Sequence, residues 1–490
     1  MKLDEKLIER IVETVVDRLA REEQNDPAPA AETRETGGDG AAVTVTDGVF
    51  QDMDACIQAA RQAQQKLVAL PLAVRGRLID AIRETGRANA EMYGNMEFEE
   101  TGLGKAGDNV AKNTSACEVM GMEDLAPEVY AGDRGVTIIE RLPVGVIASV
   151  HPVTNAAPSI LFNAVMMLAG GNSVVVNPHP RTKEVSARVI RDLNAAVTAA
   201  GGPANCLCCL QEPSVPSAQH LMTHPDIGMI AVTGGHGVVD FATRTGKRVI
   251  AGGPGNPPVV VDETADLDRA ASCIVQGAGF SNCIACASEK EIFVVEAVAD
   301  PLKRKLKEHG AYEIDAAQGE ALLKHIFKEI GEPGTPGVIN MDYIGKTPAF
   351  ILKSIGLEVG PEVQIVILET DADHPLVWTE QIMPVLPLVR CRDVDQAIER
   401  ALAAEQGFGH TMAIHSSSLV NIQKMASRAD CASFVKNGAC GLGGVGVTGE
   451  GYVSFHIATN GEGHTRPRSF TRIRRCVMTD DLRYRYGSRP

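Results

Sequence analysis

The chain has 490 residues, of which 44% are hydrophobic, and a formal net charge of -15 at pH 7. This length exceeds what one hydrophobic core usually serves, which predicts two large domains with small appendages. The acidic balance argues against binding to a nucleic-acid backbone.

Cysteine usage and hydropathy bear on the compartment. The chain contains 12 cysteines and does not begin with the uninterrupted apolar centre of a signal peptide. Reduced thiols in the cytoplasm are therefore expected rather than a disulfide framework. No apolar run reaches the roughly 18 residues of a membrane-spanning helix, which predicts a soluble protein.

Residues 1–20 carry apolar side chains with the three-and-four spacing of an amphipathic helix. Its polar face mixes acidic and basic residues, whereas a helix that lies on a membrane is usually more basic. The next segment contains no large apolar residue up to residue 42, which predicts a flexible linker over residues 21–43. We interpret the helix as a docking signal; the alternative is a helix that folds back on the body.

The central part of the chain alternates helical and strand-like segments. Helical patterns over residues 53–70 and 73–96 precede strand-like residues 136–150, and strands then alternate with helices up to residue 261. A second series follows over residues 273–440. This alternation predicts parallel sheets with crossover helices. The arginine-rich segment 465–478 is interpreted as an edge strand rather than as an anion-binding patch.

Two Cys-x-x-Cys pairs raise the question of a metal site. Cys206 and Cys209 are separated from Cys283 and Cys286 by strands and a helix, whereas structural zinc pairs usually stand about 15 to 20 residues apart. A thioredoxin-like pair opens a helix, but Cys286 precedes a strand. Both interpretations are disfavoured, and a buried inert thiol is the default for any single cysteine.

The loop over residues 279–291 is the most suggestive segment for chemistry. Small residues surround Cys286 there, between an amphipathic helix and an apolar strand, so that a substrate can approach closely. A thiol in such a position is a candidate nucleophile.

Two glycine-rich segments are candidates for phosphate binding. Residues 441–446 match Gly-x-Gly-x-x-Gly but lack the preceding strand and following helix, and we reject them. Thr233 and Gly234 follow a strand and open a helix, where free backbone amides favour a pyrophosphate. An ordinary strand-to-helix turn is the alternative.

Several motifs in order resemble the aldehyde dehydrogenase superfamily from about residue 43 to the C-terminus. They are His151-Pro152-Val153-Thr154-Asn155, Val175-Val176-Asn177-Pro178, Val232-Thr233-Gly234-Gly235, Gly252-Gly253-Pro254-Gly255-Asn256-Pro257, the Cys286 loop and Glu380-Gln381-Ile382-Met383-Pro384. The Gly-Pro-Gly-Asn-Pro-Pro and Cys-x-x-Cys-x-x-Glu-Lys-Glu segments resemble the CoA-acylating branch. Its members include the propionaldehyde and acetaldehyde dehydrogenases of bacterial microcompartments.

The resemblance implies an α/β fold of two Rossmann-type domains. An NAD/CoA-binding domain over residues 44–253 would be interrupted by flap strands near 127–144, and a catalytic thiol domain would span residues 254–446. Residues 447–490 would return along the molecule and add an oligomerisation strand, which implies a homodimer or homotetramer. The helix over residues 1–20 becomes an encapsulation peptide for a microcompartment shell protein.

The resemblance also implies roles for individual residues. Cys286 would be the nucleophile, and Asn155 with the Cys286 backbone N–H would stabilise the oxyanion. Glu380 would hold the nicotinamide ribose. Thr233 and Gly234 would bind the pyrophosphate of NAD, and Asn177 and Pro178 would line the cofactor site. Open alternatives are a turn role for Asn155, a helix-capping role for Glu380, a wall position for Cys283, and a satisfied loop histidine at His151 rather than a base for Cys286.

Two departures from related enzymes bear on the reaction. Hydrolytic relatives have a glutamate that activates water two residues before the Gly-Gly pair, and this chain has Ile250 there. Thiolysis by CoA is therefore favoured over hydrolysis, because a thiol with a pKa near about 8.5 is partly ionised unaided. Asn177 replaces a lysine found in many NAD-using relatives, which leaves the ribose contact open.

The sequence thus predicts CoA-acylating oxidation of a short-chain aldehyde, with propionaldehyde favoured, and reduction of NAD inside a bacterial microcompartment. The alternatives are acetaldehyde as the main substrate, a hydrolytic aldehyde dehydrogenase and a non-catalytic microcompartment scaffold. No metal, nucleic-acid or membrane partner is expected.

Overall fold

The computed structural model describes residues 47–444, 446 and 448–480. The predicted docking helix over residues 1–20 and the linker over residues 21–43 lie outside the described residues, so both remain predictions. The alternation of strands and helices predicted for the central part of the chain is confirmed.

The strands, numbered in chain order, have the following bounds: β1 Val49–Phe50, β2 Glu128–Gly132, β3 Gly135–Pro143, β4 Val146–Val150, β5 Ser173–Asn177, β6 Leu207–Leu210, β7 Ile227–Thr233, β8 Val249–Gly252, β9 Pro258–Val261, β10 Glu291–Val295, β11 Ala311–Glu313, β12 Phe327–Glu329, β13 Val338–Ile339, β14 Ile365–Thr370, β15 Val385–Cys391, β16 Thr411–His415, β17 Ser433–Lys436, β18 Ile457–Ala458, β19 Gly463–His464 and β20 Thr471–Thr479.

The α-helices have these bounds: α1 Met53–Ala69, α2 Leu72–Ala88, α3 Ala90–Thr101, α4 Ala106–Ala116, α5 Ala156–Ala169, α6 Lys183–Ala199, α7 Val215–Thr223, α8 His236–Arg244, α9 Leu267–Gly279, α10 Glu296–Glu308, α11 Ala316–Ile326, α12 Pro348–Lys353, α13 Pro375–Trp378, α14 Val394–Ala404 and α15 Leu419–Ala426.

The single helix predicted over residues 73–96 is wrong, because the chain forms two helices there. Asn89 separates α2 from α3 with a non-helical backbone (φ -106°, ψ 8°). Its side-chain amide donates at 2.9 Å to the carbonyl of Thr85, which also accepts the backbone N–H of Asn89 at 3.1 Å. Asparagine readily makes such local bonds to the backbone, and they compete with a continuous helix.

The first sheet has six parallel strands in the order β1-β6-β5-β4-β7-β8. All five residues of β4 and all five of β5 are buried, as is usual where helices cover both faces of a parallel sheet. The chain runs from β4 outward to β5 on one side and places β7 on the other. The order therefore reverses at β4, the position where open α/β sheets bind ligands beyond the carboxyl ends of their strands.

The second sheet has seven parallel strands in the order β11-β14-β15-β10-β9-β16-β17. Its central strands β9 and β10 are buried along their whole length. The loop with Cys286 connects α9 to β10, so the rigid centre of this sheet anchors one end of the loop.

A smaller antiparallel sheet stands apart from both cores. It pairs β2 with β3 and β3 with β20, so the predicted flap strands near residues 127–144 and the predicted arginine-rich edge strand join one sheet. Its apolar side chains Val129, Tyr130, Ile473 and Val477 are 58–62% exposed.

Among the described residues, no helix combines the length and the apolar character needed to cross a bilayer.

Candidate active site

A cavity of about 580 Å³ opens where the carboxyl ends of β4, β5 and β7 meet the Cys286 loop. Its wall includes six of the seven predicted site residues, five of which are Asn177, Pro178, Thr233, Gly234 and Glu380. Cys286 also lines it, whereas the wall includes Thr154 rather than the neighbouring Asn155. The structure therefore gathers residues that lie more than 200 positions apart in the sequence.

The turn after β7 presents an open helix N-terminus to this cavity. Gly234 donates its backbone N–H to the carbonyl of Gly252 at 3.1 Å, and α8 begins directly after Gly235 without a side-chain cap. A Cβ added at Gly235 or Gly237 would meet no heavy atom within 4 Å. Uncapped amides and the positive end of the helix dipole suit a phosphate group, so the turn fits the pyrophosphate of a dinucleotide.

Asn177, at the end of β5, is tied to the start of α7. Its amide oxygen accepts from the hydroxyl of Ser217 at 2.6 Å, and its amide nitrogen lies 3.4 Å from the carbonyl of Ser214. The residue is only 3% exposed. Asn177 and Pro178 thus form the part of the cavity wall that lies at the end of β5.

The residues before Cys286 have an unusual backbone. Ser281, Asn282 and Cys283 all have left-handed φ values, 52°, 53° and 61°. Left-handed conformations are uncommon for residues other than glycine and cost of order 1–3 kcal/mol each when the surroundings impose them.

Hydrogen bonds from several segments hold this left-handed turn in place. Ser281 donates its N–H to the carboxylate of Asp108 at 2.6 Å. The side-chain amide of Asn282 donates to the carbonyls of Gly104 and Gly345, both at 2.9 Å. Because Asn282 is fully buried, these bonds replace the water that its amide loses on folding.

Cys283 and Cys286 lie in different environments. Cys286 is partly exposed and lines the cavity, whereas Cys283 is fully buried. The thiol of Cys283 lies 3.3 Å from both the carbonyl of Glu289 and the ammonium of Lys290. Cys286 is thus the thiol that a substrate in the cavity can reach.

Electrostatics at Cys286 favour the neutral thiol. Burial and the nearby carboxylate of Glu380 raise the pKa of Cys286 to about 11, while the ammonium of Lys290 opposes this shift. The thiolate is therefore a minor species at neutral pH in the ligand-free protein.

Glu380 and Gly255 lie beside the thiol loop. The carboxylate of Glu380 accepts the backbone N–H of Gly255 at 3.2 Å. Gly255 lies in the loop between β8 and β9, so this bond does not cap a helix. A Cβ at Gly255 would stand 2.6 Å from the carbonyl oxygen of Cys286 and 2.9 Å from the ring of His410. The Gly255 segment approaches Cys286 and His410 so closely that only glycine fits at position 255.

Asn155 occupies the N-cap position of α5 but does not cap it. The carboxylate of Glu97 accepts the first amides of the helix instead, from Ala156 at 3.1 Å and Ala157 at 3.3 Å. The side-chain oxygen of an asparagine at this position usually accepts a backbone N–H from the first turn of the helix. Relief from capping leaves the Asn155 side chain available for another partner.

His151 lines the cavity but is poorly suited to act as a base. Its Nε2 lies 2.7 Å from the hydroxyl of Ser149. Burial and the neighbouring His456 lower the pKa of His151 to about 3, so the imidazole is neutral and weakly basic at pH 7. The satisfied loop histidine, one of the alternatives from the sequence, describes only Nε2, because Nδ1 is buried without a hydrogen-bond partner among the described residues.

Branched aliphatic side chains surround the cavity near Cys286. Ile284 and Ile344 pack with Leu103 in a small buried cluster, and Val153 and Ile382 pack against it. Four of these five also line the cavity. Such a wall suits a short aliphatic group and offers no hydrogen bond to a longer polar one.

Ile250, the residue in place of the glutamate of hydrolytic relatives, is 1% exposed on β8 and packs in the core of the first domain. No carboxylate therefore occupies this position.

The sequence assigned no role to Lys290 and Asn282, although both lie within or beside the quoted Cys286 motif. A Glu-Lys-Glu run directly before an apolar strand is the sequence signal that could have drawn attention to Lys290, because charged residues are rarely buried unless they are paired.

Comparison with known proteins places these features in a family. The family model described as the aldehyde dehydrogenase family matches residues 29–315. Acetaldehyde dehydrogenase (acetylating) EutE of Salmonella typhimurium is 46% identical over 439 residues, which are 89% of this chain and 93% of that protein.

Solved structures agree with that relationship. A crystal structure of Rhodopseudomonas palustris propionaldehyde dehydrogenase, with bound CoA and an acylated cysteine, is 39% identical with a TM-score of 0.86 and matches 90% of this chain and 100% of that one. The propionaldehyde dehydrogenase of the Clostridium phytofermentans fucose utilisation microcompartment is also 39% identical, with a TM-score of 0.86 and coverage of 89% and 100%. The chain therefore belongs to the aldehyde dehydrogenase family and, within it, to the CoA-acylating aldehyde dehydrogenases.

Proposed function

We propose that the enzyme oxidises a short-chain aldehyde to an acyl-CoA with reduction of NAD, through a thioester on Cys286. The observation that carries this proposal is the position of Cys286, a reachable thiol in a cavity that also contains an open helix N-terminus suited to a dinucleotide. Acylating relatives of high coverage support the same reaction.

In the first step the thiolate of Cys286 attacks the aldehyde carbonyl carbon. A C–S bond forms, and the π electrons of the carbonyl move to its oxygen. The side-chain amide of Asn155 and the backbone N–H of Cys286 are the proposed donors to this oxyanion. Asn155 suits the role because Glu97 relieves it of capping α5.

Thr233 and Gly234 would hold the pyrophosphate of NAD at the uncapped start of α8, and Glu380 would hold the nicotinamide ribose beside Cys286. When bound, the nicotinamide supplies the acceptor for the hydride that leaves the substrate carbon. Loss of the hydride converts the adduct on Cys286 to a thioester.

A thiol rather than water would release the acyl group. The CoA sulfur attacks the thioester carbon, the bond to Cys286 breaks, and Cys286 leaves as a thiolate that is ready for another cycle. Ile250 supports this course, because the chain has no glutamate at the position that activates water in hydrolytic relatives.

The aliphatic wall favours aldehydes of two to four carbons. Both acetaldehyde and propionaldehyde fit this chemistry, and the sequence favoured propionaldehyde. The 46% identity to an acetaldehyde dehydrogenase, against 39% for the propionaldehyde dehydrogenases of known structure, makes acetaldehyde an equal candidate.

Substitution of Cys286 tests the reaction. The Cys286→Ala enzyme should lose CoA-dependent formation of NADH by at least about a thousandfold. Cys283→Ala is the matched control, since it removes the buried thiol of the same loop. NADH formation by Cys286→Ala at the wild-type rate would disprove the thioester mechanism, and kcat/KM for C2 to C4 aldehydes would identify the substrate.

Thiol alkylation separates an enzyme from a non-catalytic scaffold. In the proposed enzyme, aldehyde together with NAD should protect Cys286 from iodoacetamide. A scaffold would show no protection at this residue.

The proposed location is the lumen of a bacterial microcompartment, with residues 1–20 as the encapsulation peptide. The amphipathic pattern and tether-like composition of residues 1–43 support this location, as does the microcompartment origin of a related structure. A fluorescent protein fused to residues 1–20 should form puncta in cells that make shells, and diffuse fluorescence would contradict the proposal.

A homodimer or homotetramer is proposed through the exposed antiparallel sheet. Its four apolar side chains, 58–62% exposed on β2 and β20, suit contact with a second copy. Sedimentation of an enzyme with Ile473→Asp and Val477→Asp should show a smaller species than the wild type.

A further inference from the structure

Lys290 is a fully buried lysine at the end of the thiol loop, one residue before β10. Its ammonium donates to the carbonyl of Cys283 at 2.9 Å and to the carbonyl of Ala285 at 3.0 Å, and it lies 3.3 Å from the thiol of Cys283. Its own backbone N–H donates to the carbonyl of Pro257 at 3.0 Å. The side chain thus folds back over the loop that contains Cys286.

The contact with Ala285 has a direct consequence for Cys286. The carbonyl of Ala285 and the backbone N–H of Cys286 belong to the same planar peptide unit, in which they point in opposite directions. A cation that fixes the carbonyl therefore fixes the direction of the N–H. It also withdraws electron density from the amide, and hydrogen bonds in such a chain strengthen one another.

The charge on Lys290 is maintained despite its burial. Burial opposes the charged form, but Cys283 and Glu380 act against that effect, so the pKa of Lys290 stays above its ordinary value. The other titratable groups that it influences are Cys286, Glu289, Glu291, His410 and Cys440. Burial of an ammonium group costs free energy unless the group is well paired. Lys290 donates two of its three N–H groups to carbonyls of the thiol loop.

We propose that Lys290 is a positioning residue for the oxyanion site. Through the carbonyl of Ala285 it orients and polarises the peptide whose N–H, at Cys286, faces the oxygen of the substrate. This inference rests on the proposed function, because it assumes that the N–H of Cys286 stabilises an oxyanion while the Cys286 thiol carries the acyl group.

Two reactions of Cys286 distinguish this role from a general effect on the thiol. Acylation by p-nitrophenyl acetate, without NAD or CoA, passes through a tetrahedral oxyanion, whereas alkylation by iodoacetamide does not. Both reactions need the same thiolate. The ratio of the two rates therefore cancels changes in the thiolate fraction and in the number of folded molecules, and it isolates stabilisation of the oxyanion.

Three variants of the full-length enzyme complete the experiment. Lys290→Met removes the ammonium, and we expect the acylation-to-alkylation ratio to fall about tenfold, less than for loss of a direct oxyanion donor. Lys290→Gln keeps a neutral donor and should give an intermediate ratio, and it serves if the methionine variant does not fold. Lys105→Met is the matched control, because Lys105 donates to the carbonyl of Gly279 at 2.9 Å, outside the peptide before Cys286. Its ratio should stay at the wild-type value.

Two results would overturn the inference. One is an acylation-to-alkylation ratio within twofold of the wild type in both Lys290 variants, including the case in which both rates fall equally because Lys290 only maintains the thiol loop. The other is the same fall of the ratio in the Lys105→Met control, which would mean that the effect is not specific to the peptide before Cys286. The Cys286→Ala enzyme keeps the two proposals apart. Retention of CoA-dependent NADH formation in that enzyme would refute the proposed function itself, whereas its loss beside an unchanged Lys290→Met ratio would refute only the role of Lys290.

Discussion

The two walls of the cavity differ in how firmly they are held. On the thiol side, Asp108, Asn282 and Lys290 hold the residues around Cys286 through charged or buried hydrogen bonds. On the cofactor side, the turn at Gly235 and Gly237 is exposed and has open space around its glycines. The difference indicates that one wall keeps the reacting groups at fixed positions, while the other admits exchangeable ligands.

This contrast suits a reaction in which two cosubstrates act in turn. In the proposed reaction NADH would leave after the hydride transfer, and CoA would then approach the same thioester. An open turn with free backbone amides would suit the pyrophosphate groups of both molecules. The thiol loop must keep its geometry throughout, and the left-handed backbone at residues 281–283 persists because neighbouring segments impose it.

The largest effect expected in this comparison concerns Asn155, the proposed oxyanion donor. Asn155→Ala should lower kcat about 100- to 1000-fold, as does loss of one oxyanion donor in other enzymes. Thermal stability should not change, because Glu97 rather than Asn155 caps α5. Steady-state kinetics and a melting curve measure the two quantities.

Glu97→Gln is the complementary variant, because it changes the residue that caps α5 and leaves Asn155 in place. It keeps the side-chain size but weakens the charge-assisted bonds to Ala156 and Ala157, so it should lower the melting temperature. A fall in melting temperature for Asn155→Ala, with kcat near the wild-type value, would show that Asn155 is only a turn residue.

The second prediction is that the free energy of unfolding depends on pH through Glu289, a residue on the thiol side. Glu289 is fully buried behind the loop, and its carboxylate accepts the N–H of Cys440 at 2.7 Å. Burial raises the pKa of Glu289 to about 7, against an ordinary value of 4.5. The folded state therefore favours the protonated carboxyl, and this contribution to stability is complete below about pH 4.5 and lost as the pH rises through 7.

The expected loss from this single group is about 3 kcal/mol of the free energy of unfolding between those pH values. Denaturation by urea at pH 5.5 and pH 8 measures the part of it that falls in this window. Glu289→Gln is neutral at every pH, so the loss of stability on going to pH 8 should be smaller in that variant. The same pH dependence in both proteins would mean that Glu289 does not change its protonation on unfolding.

The third prediction compares one glycine from each wall. A methyl group at Gly255 would collide with the carbonyl of Cys286, so Gly255→Ala should lower kcat/KM about 10- to 100-fold by displacing the thiol. A methyl group at Gly235 meets open space, and Gly235→Ala should change kcat/KM by less than about twofold. Equal effects from the two substitutions would remove the distinction between a fixed and an open wall.

The sequence carried more information about the sheets and motifs than about the loop geometry. Apolar alternation predicted the parallel strands, and the ordered motifs brought Thr233, Glu380 and Cys286 to one cavity. These patterns are local and repeat along the chain. The break at Asn89 escaped prediction, because helical periodicity continues across it although the Asn89 side chain bonds back to Thr85.

Contacts between distant segments could not be predicted in this way. The relief of Asn155 by Glu97 joins residues 58 positions apart, and the left-handed turn at Asn282 depends on Gly104 and Gly345. The fold of Lys290 back onto the carbonyl of Ala285 likewise depends on side-chain conformation. Each contact is a long-range or conformational choice that composition and spacing do not encode.

The last prediction tests how Asn177 contributes to the open wall. Its amide is already bonded to Ser217 at the start of α7, so we expect it to hold this helix against the cofactor site rather than to bind the ribose. Asn177→Ala should then raise KM for NAD only about threefold, the effect of one lost neutral hydrogen bond of under 1 kcal/mol, with kcat unchanged. Ser217→Ala breaks the same bond from the other side and should have the same effect on KM. A rise of more than tenfold for Asn177→Ala alone would instead indicate direct contact with NAD, because Ser217→Ala leaves the amide in the cavity wall.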